Sequence, residues 1–300
     1  MKKILIAGGT GFVGKALIKH LLNCGYMVNV LTRRNKISST ENIRYFEWDI
    51  KKGFIDEKAF ERVSKIINLT GANITEKRWT EKRKVEIIES RTKAIDLLFT
   101  YVKTRNFSID IFISSSAVGY YGAITSDEIF TEKSNNGSDF LASICRKWEK
   151  SALQFESLGV ATVILRKGVV LGRDGGICQK LAPLAKLGIN TSLGNGRQYL
   201  PWIDIRDLVR LYEFILKTDV LSGVFNAVSS EHIMMNDFSK TLLQSFGKTS
   251  FLPNVPAFII KLLLGEMSVM LLEGSRASNE KIKQTGFQFE YSSIEKTFSM

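Results

Sequence analysis

The chain has 300 residues, 44% of them hydrophobic, which is enough for one large domain or two unequal lobes with a sizeable core. Its formal net charge is +12, but the cations are scattered, and glutamates interleave the densest basic cluster at residues 76–84, which argues against a nucleic-acid site. Because the sequence has no run of about 18 uninterrupted apolar residues and carries three widely spaced cysteines, a cytoplasmic protein without a membrane span is expected.

Strands and helical segments alternate along most of the chain, which is the pattern of βαβ units and a parallel sheet. The segment KKILIA is predicted to be the first strand, followed by a glycine turn and an amphipathic helix. The further predicted strands are MVNVLTRR, IRYFEWDI, KIINLTG, IDIFISSS, VATVILRKGVVLG and GVFNAVS. A long helix is predicted from about Glu81 to Lys103, with its apolar core face at Val85, Ile88, Ile95 and Leu98.

These elements predict an α/β fold with a Rossmann-like, doubly wound parallel sheet and a smaller C-terminal substrate lobe. Residues 1–170 and 203–229 are assigned to the Rossmann dinucleotide-binding domain. Residues 171–202 and 230–300 do not continue the alternation and are assigned to the substrate lobe.

The motif GGTGFVG, with Gly8, Gly11 and Gly14, lies between the first strand and the first helix. Glycine permits the tight turn and lets the backbone approach a pyrophosphate, whose charge the helix N-terminus stabilises. A spacing of three glycines is weak evidence alone. Its place at the start of a βαβ unit nevertheless predicts dinucleotide binding.

The ends of the second and third strands bear on the choice of dinucleotide. The second strand ends at Thr32, Arg33 and Arg34, where an arginine can pair with the extra phosphate of NADP, so NADP(H) is preferred over NAD(H). Two arginines on a surface turn can also be merely solvated. Asp49, at the end of the third strand, is placed either to meet the adenine amino group or to form a turn.

The chain resembles the extended short-chain dehydrogenase/reductases, and most closely their atypical NAD-dependent epimerase-like subgroup of unknown substrate. The resemblance spans nearly the whole chain, through GGTGFVG, NLTGA, SSSAVGYYG, LRKGVVLG, WIDIRDL and the C-terminal PAFIIKLLLGEMSVMLLEGSRAS. It implies bound NADP(H) and a cofactor site at the strand ends. The residues predicted for that site are Gly8, Thr10, Gly11, Phe12, Val13, Gly14, Thr32, Arg33, Arg34, Asp49, Leu69, Thr70, Gly71, Ser114, Ser115, Arg166, Gly168 and Val169.

The resemblance also exposes a departure from the family's catalytic pattern. In the general family a serine binds the substrate carbonyl, a tyrosine exchanges the proton, and a lysine four residues later lowers the pKa of that tyrosine. When the family's glutamate is aligned with Glu149, Leu141 occupies the tyrosine position and Cys145 the lysine position. Neither side chain can perform those roles, and Cys145 is predicted to be a small buried residue.

Other side chains can supply part of such a site. Ser116 best matches the family's serine, and Tyr120 and Tyr121 can bring a phenol to the substrate or pack against the second lobe. For the substrate, the candidates are Arg91, Arg197, Gln198 and Trp202. Arg197 and Gln198 lie in a glycine-flanked loop that suits an anionic or polyhydroxylated compound, although a loop with a solvated arginine is equally compatible.

Two functional hypotheses follow. The first is an NADP(H)-dependent oxidoreductase or epimerase-like enzyme that acts on a small, polar or anionic carbonyl or hydroxyl compound without the Tyr-x-x-x-Lys pair. The second is a non-catalytic NADP(H)-binding redox sensor. General acid/base catalysis typically raises a reaction rate by about 100-fold to 10,000-fold. Its loss would slow hydride transfer, but the rate gained by holding the hydride donor and acceptor together would remain. A monomer or homodimer is expected, with no metal site, since Asp204 and Asp207 have arginine neighbours suited to ion pairing.

Overall fold

The computed structural model describes residues 3–33, 41–173, 175–189, 191–218, 221–250 and 252–298. The strands are β1 Lys3–Ala7, β2 Met27–Thr32, β3 Ile43–Asp49, β4 Phe54–Ile55, β5 Val63–Asn68, β6 Ile111–Ala117, β7 Ile129–Phe130, β8 Ala161–Lys167, β9 Val169–Gly172, β10 Tyr199–Leu200, β11 Trp202–Asp204, β12 Gly223–Ala227, β13 Ile233–Met234 and β14 Arg276–Ala277. The α-helices are α1 Phe12–Asn23, α2 Glu81–Thr104, α3 Phe140–Leu153, α4 Gly176–Lys186, α5 Ile205–Lys217, α6 Met235–Gln244, α7 Ala257–Leu264, α8 Val269–Leu272, α9 Glu280–Gln284 and α10 Ile294–Phe298.

Eight strands form one sheet in the order β12-β8-β6-β5-β1-β2-β3-β4. Neighbouring strands pair in parallel, apart from the antiparallel pair of β3 and β4. The chain runs outward from β1 to β3 and then returns to β5 on the other side of β1, which is a doubly wound topology. The predicted fold class is therefore confirmed. The carboxyl ends of the parallel strands share one edge, here called the carboxyl edge, where ligands of such sheets bind.

Apolar side chains cover both faces of the sheet, as expected when helices enclose parallel strands. One core cluster joins the sheet to α1 and α5 and includes Leu17 and Leu208, and the other joins it to α2 and α3 and includes Leu98 and Trp148. Ile282, from the segment assigned to the substrate lobe, packs into the first cluster, and the division into two lobes stays a prediction. Among the described residues, none of the helices combines the length and apolar character needed to span a membrane.

The predicted single strand VATVILRKGVVLG is divided at Gly168 into β8 and β9. β8 belongs to the large sheet, whereas β9 pairs with β11 in a separate two-stranded sheet. The backbone of Gly168 lies against Pro201 so closely that a Cβ atom would be 2.6 Å from the Pro201 carbonyl oxygen. The glycine permits the chain to leave one sheet for the other, and the prediction of one continuous strand was wrong.

The helix α2 confirms the predicted long helix but turns a different face to the core. Val85, which was predicted to be a core residue, is 54% exposed, whereas Arg83 and Arg91 are buried together with Ile87. The buried face is therefore partly polar, and its arginines bond to main-chain oxygens of the segment that precedes the helix, Asn73 for Arg83 and Ala72 for Arg91.

Candidate functional site

The glycine loop between β1 and α1 has the close packing that a phosphate loop requires. Gly8 has a φ of +83°, and a Cβ atom at Gly14 would be 2.6 Å from the Gly8 carbonyl oxygen, so neither position accepts a side chain without strain. Gly11 is the N-cap of α1, and a Cβ atom there would meet only the Gly8 oxygen, at 3.7 Å. The space beside Gly11 at the N-terminus of α1 is therefore open, and this is where a pyrophosphate would bind the N–H groups of a helix.

Three further loop residues predicted to contact the dinucleotide differ in exposure. Thr10 is exposed, and Val13 packs against the first core cluster. The ring of Phe12 lies against Gly172 and Gly175, where a side chain would collide with it. Phe12 thereby connects the glycine loop with Gly172 of β9 and with Gly175, the residue before α4.

At the end of β2, Arg33 is exposed and Thr32 is buried, whereas Arg34 lies outside the described residues. Asp49 accepts hydrogen bonds from the backbone N–H groups of Lys51 and Lys52, at 2.8 and 3.2 Å. These bonds match the turn-forming alternative for Asp49, one of the two that the sequence left open.

A crevice of about 290 Å³ lies beside the glycine loop and along α1. Its lining residues are Gly9, Thr10, Lys15, Ile18, Lys19, Leu22, Asn23 and Tyr45. Lys15 and Lys19 bring two positive charges next to the loop, and the sequence interpretation missed them. Their spacing of four residues on the helix that follows the glycine motif was the available signal.

The end of β5 offers an unpaired donor at the carboxyl edge. Asn68 is fully buried, and its Oδ1 accepts a bond of 2.7 Å from the Thr70 hydroxyl. Its Nδ2 has no partner among the described residues. Leu69 bonds back to β1 through its N–H, 2.8 Å from the Ala7 oxygen, and Gly71 is exposed beyond it. A buried amide donor without a partner fits a site that a polar ligand completes.

Ser116 and Tyr121 belong to one buried polar network on the α3 side of the sheet. The Ser116 hydroxyl donates to Glu149 Oε1 at 2.6 Å, and Arg166 donates to both carboxylate oxygens at 2.9 and 2.8 Å. Arg166 Nη1 lies 3.1 Å from the Tyr121 hydroxyl, which donates to Asn226 Oδ1 at 2.7 Å. Burial raises the pKa of Tyr121. Both hydroxyl protons are therefore held by internal acceptors.

Tyr120 joins this network through its contact with Arg166. Burial alone would lower the pKa of Arg166, but the Glu149 carboxylate outweighs burial and raises it. The guanidinium carbon lies 3.3 Å from the centroid of the Tyr120 ring, a cation–π contact. Tyr120 remains partly exposed. The third predicted serine, Ser114, is fully buried and bonds to the Ser115 carbonyl oxygen at 3.2 Å.

A second polar cluster lies on the α5 side of the sheet and contains a lysine that the sequence interpretation missed. Lys167 Nζ donates to Ser115 Oγ at 2.9 Å, and that oxygen is 3.1 Å from the Tyr212 hydroxyl. Burial, followed by the charge of Arg91, lowers the pKa of Lys167 to about 8. Its side chain is nevertheless partly accessible to solvent. The available signal was the position of Lys167 as the last residue of a strand that ends at the carboxyl edge.

Arg91 and Cys145 lie near this edge in buried surroundings. Arg91 donates to the carbonyl oxygens of Ile87 and Ala72 at 2.8 and 3.2 Å, and its Nε has no partner among the described residues. Burial lowers the pKa of Arg91 to about 10 and raises that of Cys145 to about 12. Cys145 is buried, as predicted, and its thiol is not activated.

The predicted substrate residues near β10 and β11 differ in their exposure to solvent. Arg197 is exposed, whereas Gln198 and Trp202 are only 2% and 1% exposed. Gln198 donates to the carbonyl oxygens of Leu193 and Leu271 at 2.9 and 2.7 Å, so it joins two segments of the C-terminal part. Of these three side chains, Arg197 is the one that solvent and ligands reach.

Potential metal ligands lie on α1 and α5 or at the ends of these helices. Asp204 pairs with Arg206 and Asp207 with Arg210, each at 2.7 Å, as predicted. In the described ranges, His20, Cys24 and Glu213 have donor atoms within 4.8 Å of one another, at the contact of α1 with α5. The Glu213 carboxylate is already bonded to His20 and to Lys217, at 2.7 and 2.6 Å. This group lies near the far ends of α1 and α5, away from the carboxyl edge.

Comparison with known proteins extends these observations. Residues 4–227 match the NAD dependent epimerase/dehydratase family, and residues 255–299 match a domain of unknown function, DUF1731. An epimerase family protein of Staphylococcus aureus is 34% identical over 297 residues, 98% of this chain and 97% of that protein. The epimerase family protein YfhF of Bacillus subtilis is 33% identical over 293 residues, 97% and 95% of the two chains. The crystal structure of human epimerase family protein SDR39U1 with NADPH has a TM-score of 0.86 and 26% identity, covering 99% of this chain and 97% of that chain.

Proposed function

Because the chain belongs to the NAD-dependent epimerase/dehydratase family, we propose that it is an NADP(H)-dependent oxidoreductase or epimerase-like enzyme that acts on a small, polar or anionic carbonyl or hydroxyl compound. The resemblance to the atypical extended short-chain dehydrogenase/reductases is confirmed by the matches over residues 4–227 and 255–299. A nicotinamide dinucleotide is the cofactor of this family. The preference for NADP(H), the substrate class and the catalytic residues are parts of the proposal.

One observation carries the proposal: groups suited to a dinucleotide and to proton transfer follow each other along the carboxyl edge. The glycine loop ends β1, the unpaired Asn68 amide ends β5, Ser115 and Ser116 end β6, and Lys167 ends β8, in the spatial order of those strands. A bound nicotinamide would supply or accept a hydride at this edge. The protein's own contribution is to hold the reactants together and to exclude water, which is effective in itself.

The preference for NADP(H) is supported by charge around the adenosine end. Arg33 follows directly after β2, at the position that decides between the two dinucleotides, and Lys15 and Lys19 line the adjacent crevice. An acidic residue would be needed there to bind the ribose hydroxyls of NAD. The human relative, at 26% identity, was crystallised with NADPH, which agrees with the proposed preference.

The experiment that tests the proposal is a titration with NADPH, NADP+, NADH and NAD+, followed by nicotinamide fluorescence or calorimetry. We expect NADPH to bind more tightly than NADH. Arg33→Ala should weaken NADPH binding by roughly tenfold to a hundredfold, the value of about 1.5 to 3 kcal/mol for a charged hydrogen bond. It should leave NADH binding unchanged.

A matched control is Arg44→Ala, which removes the same charge from an exposed arginine near the amino end of β3. We expect this variant to bind NADPH like the unchanged protein. Equal weakening in the two variants would show that Arg33 acts only through net charge. If none of the four dinucleotides binds, the proposed function is wrong.

The non-catalytic sensor is the second candidate, and the closed network around Ser116 favours it. The hydroxyl protons of Ser116 and Tyr121 are both held by internal acceptors. An assay of NADPH consumption with a panel of aldehydes and ketones separates the two functions. The enzyme requires consumption that depends on an added carbonyl compound. The sensor requires tight binding without consumption, together with different protection from proteolysis by NADPH and by NADP+.

A further inference from the structure

Lys167 is placed where a reacting group of this site is needed. It is the last residue of β8, and its backbone pairs with Ala117 of β6 on one side and with Ala227 of β12 on the other. We propose that Lys167 is the proton-exchanging group of the site and that its ammonium faces the reacting end of the bound dinucleotide. This inference rests on the proposed function, because the substrate oxygen needs a proton only when its carbon gains a hydride.

The contacts of Lys167 hold its amino group in place without enclosing it. Successive residues of a strand point to opposite faces, so Lys167 faces away from the Arg166 and Glu149 pair. Its Nζ is fixed by Ser115, which in turn contacts Tyr212 of α5. An ammonium has three N–H donors, and the bond to Ser115 uses one of them. The partial exposure of the side chain leaves a path for a substrate and for water.

The alternative proton donors are worse placed. Ser116 and Tyr121 are 1% and 3% exposed, and each donates its proton to a buried partner. Tyr120 is partly exposed, but its ring is stacked on the Arg166 guanidinium, which fixes its orientation. Lys167 therefore combines a defined position, a transferable proton and access.

Among Lys167, Arg91, Cys145 and Tyr212, Lys167 has the pKa that lies nearest to neutrality. Arg91 from α2 has a pKa of about 10, and Cys145 from α3 one of about 12. Burial raises the pKa of Tyr212 from α5. Glu149 is paired with Arg166 on the other face of the sheet. With its pKa of about 8, Lys167 is suited to give and regain a proton at physiological pH.

The proposed step balances in atoms and electrons. In reduction, the carbonyl carbon gains a hydride, with its electron pair, from the reduced dinucleotide, and the carbonyl oxygen gains a proton from Lys167 Nζ. The neutral amine then regains a proton from the solvent, which is the one proton consumed in the sum. The sum is carbonyl compound, reduced dinucleotide and one proton giving alcohol and oxidised dinucleotide, and the oxidation is the reverse.

The proposal can be tested without knowledge of the substrate, because the oxidised nicotinamide ring carries a positive charge and the reduced ring does not. An ammonium beside the ring disfavours NADP+, so NADP+ binding should release a proton from Lys167. We expect the ratio of the dissociation constants of NADP+ and NADPH to fall by about tenfold between pH 6.5 and pH 9, since one titrating group changes affinity by up to tenfold per pH unit. Titration of the shared phosphates cancels in this ratio.

Lys167→Met should retain NADPH binding and make this ratio independent of pH. The matched control is Lys147→Met, the same substitution at an exposed lysine of α3, which should keep the pH dependence. A ratio that does not change with pH in the unchanged protein, with both dinucleotides bound, overturns the proposal while leaving the proposed function standing. So does a pH dependence that persists in Lys167→Met. Failure of both dinucleotides to bind overturns the proposed function as well.

Discussion

Glu149→Gln is expected to lower the free energy of unfolding by about 3 to 5 kcal/mol, because it leaves the Arg166 charge buried without its counter-charge. The side chains of Arg166 and Glu149 are only 4% and 7% exposed. Glutamine keeps the size and an oxygen that accepts from Ser116 and Arg166 Nε, but its amide nitrogen cannot accept the bond from Arg166 Nη2, so the change removes the charge and one hydrogen bond. An arginine cannot escape the penalty by deprotonation. Urea unfolding at pH 7, followed by circular dichroism, measures the difference.

The control for this variant is Glu57→Gln, which removes the carboxylate of an ion pair with a similar distance, 2.7 Å against 2.8 Å. Arg105 Nε lies 2.7 Å from Glu57 Oε1, but the two side chains are 55% and 50% exposed. The loss of such a surface pair costs at most about 1 kcal/mol. Replacing both Glu149 and Arg166 by leucine should recover much of the loss, since no unpaired charge remains. Equal losses in Glu149→Gln and Glu57→Gln would contradict the assignment of a buried, strongly coupled pair.

The network of Ser116, Glu149 and Arg166 explains why the end of β6 matches the family's sequence pattern but differs in its hydrogen bonds. Ser116 stands where the family's serine is expected, yet its proton is held by Glu149, which Arg166 fixes in position. A serine held in this way presents its oxygen only as an acceptor. In the proposed reaction the proton therefore comes from another group, and Lys167 ends β8, one of the two strands that flank β6.

Most of the strands and the fold class could be predicted because their determinants are local. The apolar runs of β1, β5 and β6, the helical period of α1 and the glycines at Gly8 and Gly14 each report on a few neighbouring residues. The polar networks could not be predicted, since their partners are far apart in the chain. Ser116 and Glu149 are separated by 33 residues, and Tyr121 and Asn226 by 105. The alternation of residues in a strand predicts which side chains share a face of the sheet. It does not predict which residues of other elements contact them on that face.

The same limit accounts for the errors at α2 and β8. A helical period assigns apolar residues to the core, and so it placed Val85 inside and left Arg83 and Arg91 undecided. Each buried arginine donates from Nη2 to a carbonyl oxygen of the preceding loop, a partner that the sequence of the helix does not contain. Lys167 was overlooked for a related reason. Its importance comes from the neighbours that tertiary structure supplies at a strand end.

Lys167→Met is expected to raise the free energy of unfolding by about 2 kcal/mol at pH 7. Burial lowers the pKa of Lys167 from 10.5 to about 8, so the folded state holds the proton less strongly than the unfolded state does. This lowering of the pKa corresponds to about 3 kcal/mol of destabilisation of the unchanged protein below pH 8. The variant regains that free energy but loses the hydrogen bond to Ser115, which is worth about 1 kcal/mol. The unfolded chain binds more protons between pH 8 and 10.5, so the stability of the unchanged protein rises through that range.

The gain in the free energy of unfolding of Lys167→Met should therefore be largest at pH 7. It should shrink as the pH approaches 10.5, where the lysine is neutral in the folded state, and then change sign. Urea unfolding at both pH values measures it, with Lys147→Met at an exposed site expected to change stability by no more than about 0.5 kcal/mol. If Lys167→Met is less stable than the unchanged protein at pH 7, or if the difference in their free energies of unfolding does not depend on pH, the lowered pKa of Lys167 is contradicted. A stabilising effect of Lys167→Met would agree with the proposed role of Lys167 in proton exchange, because groups at functional sites often cost stability.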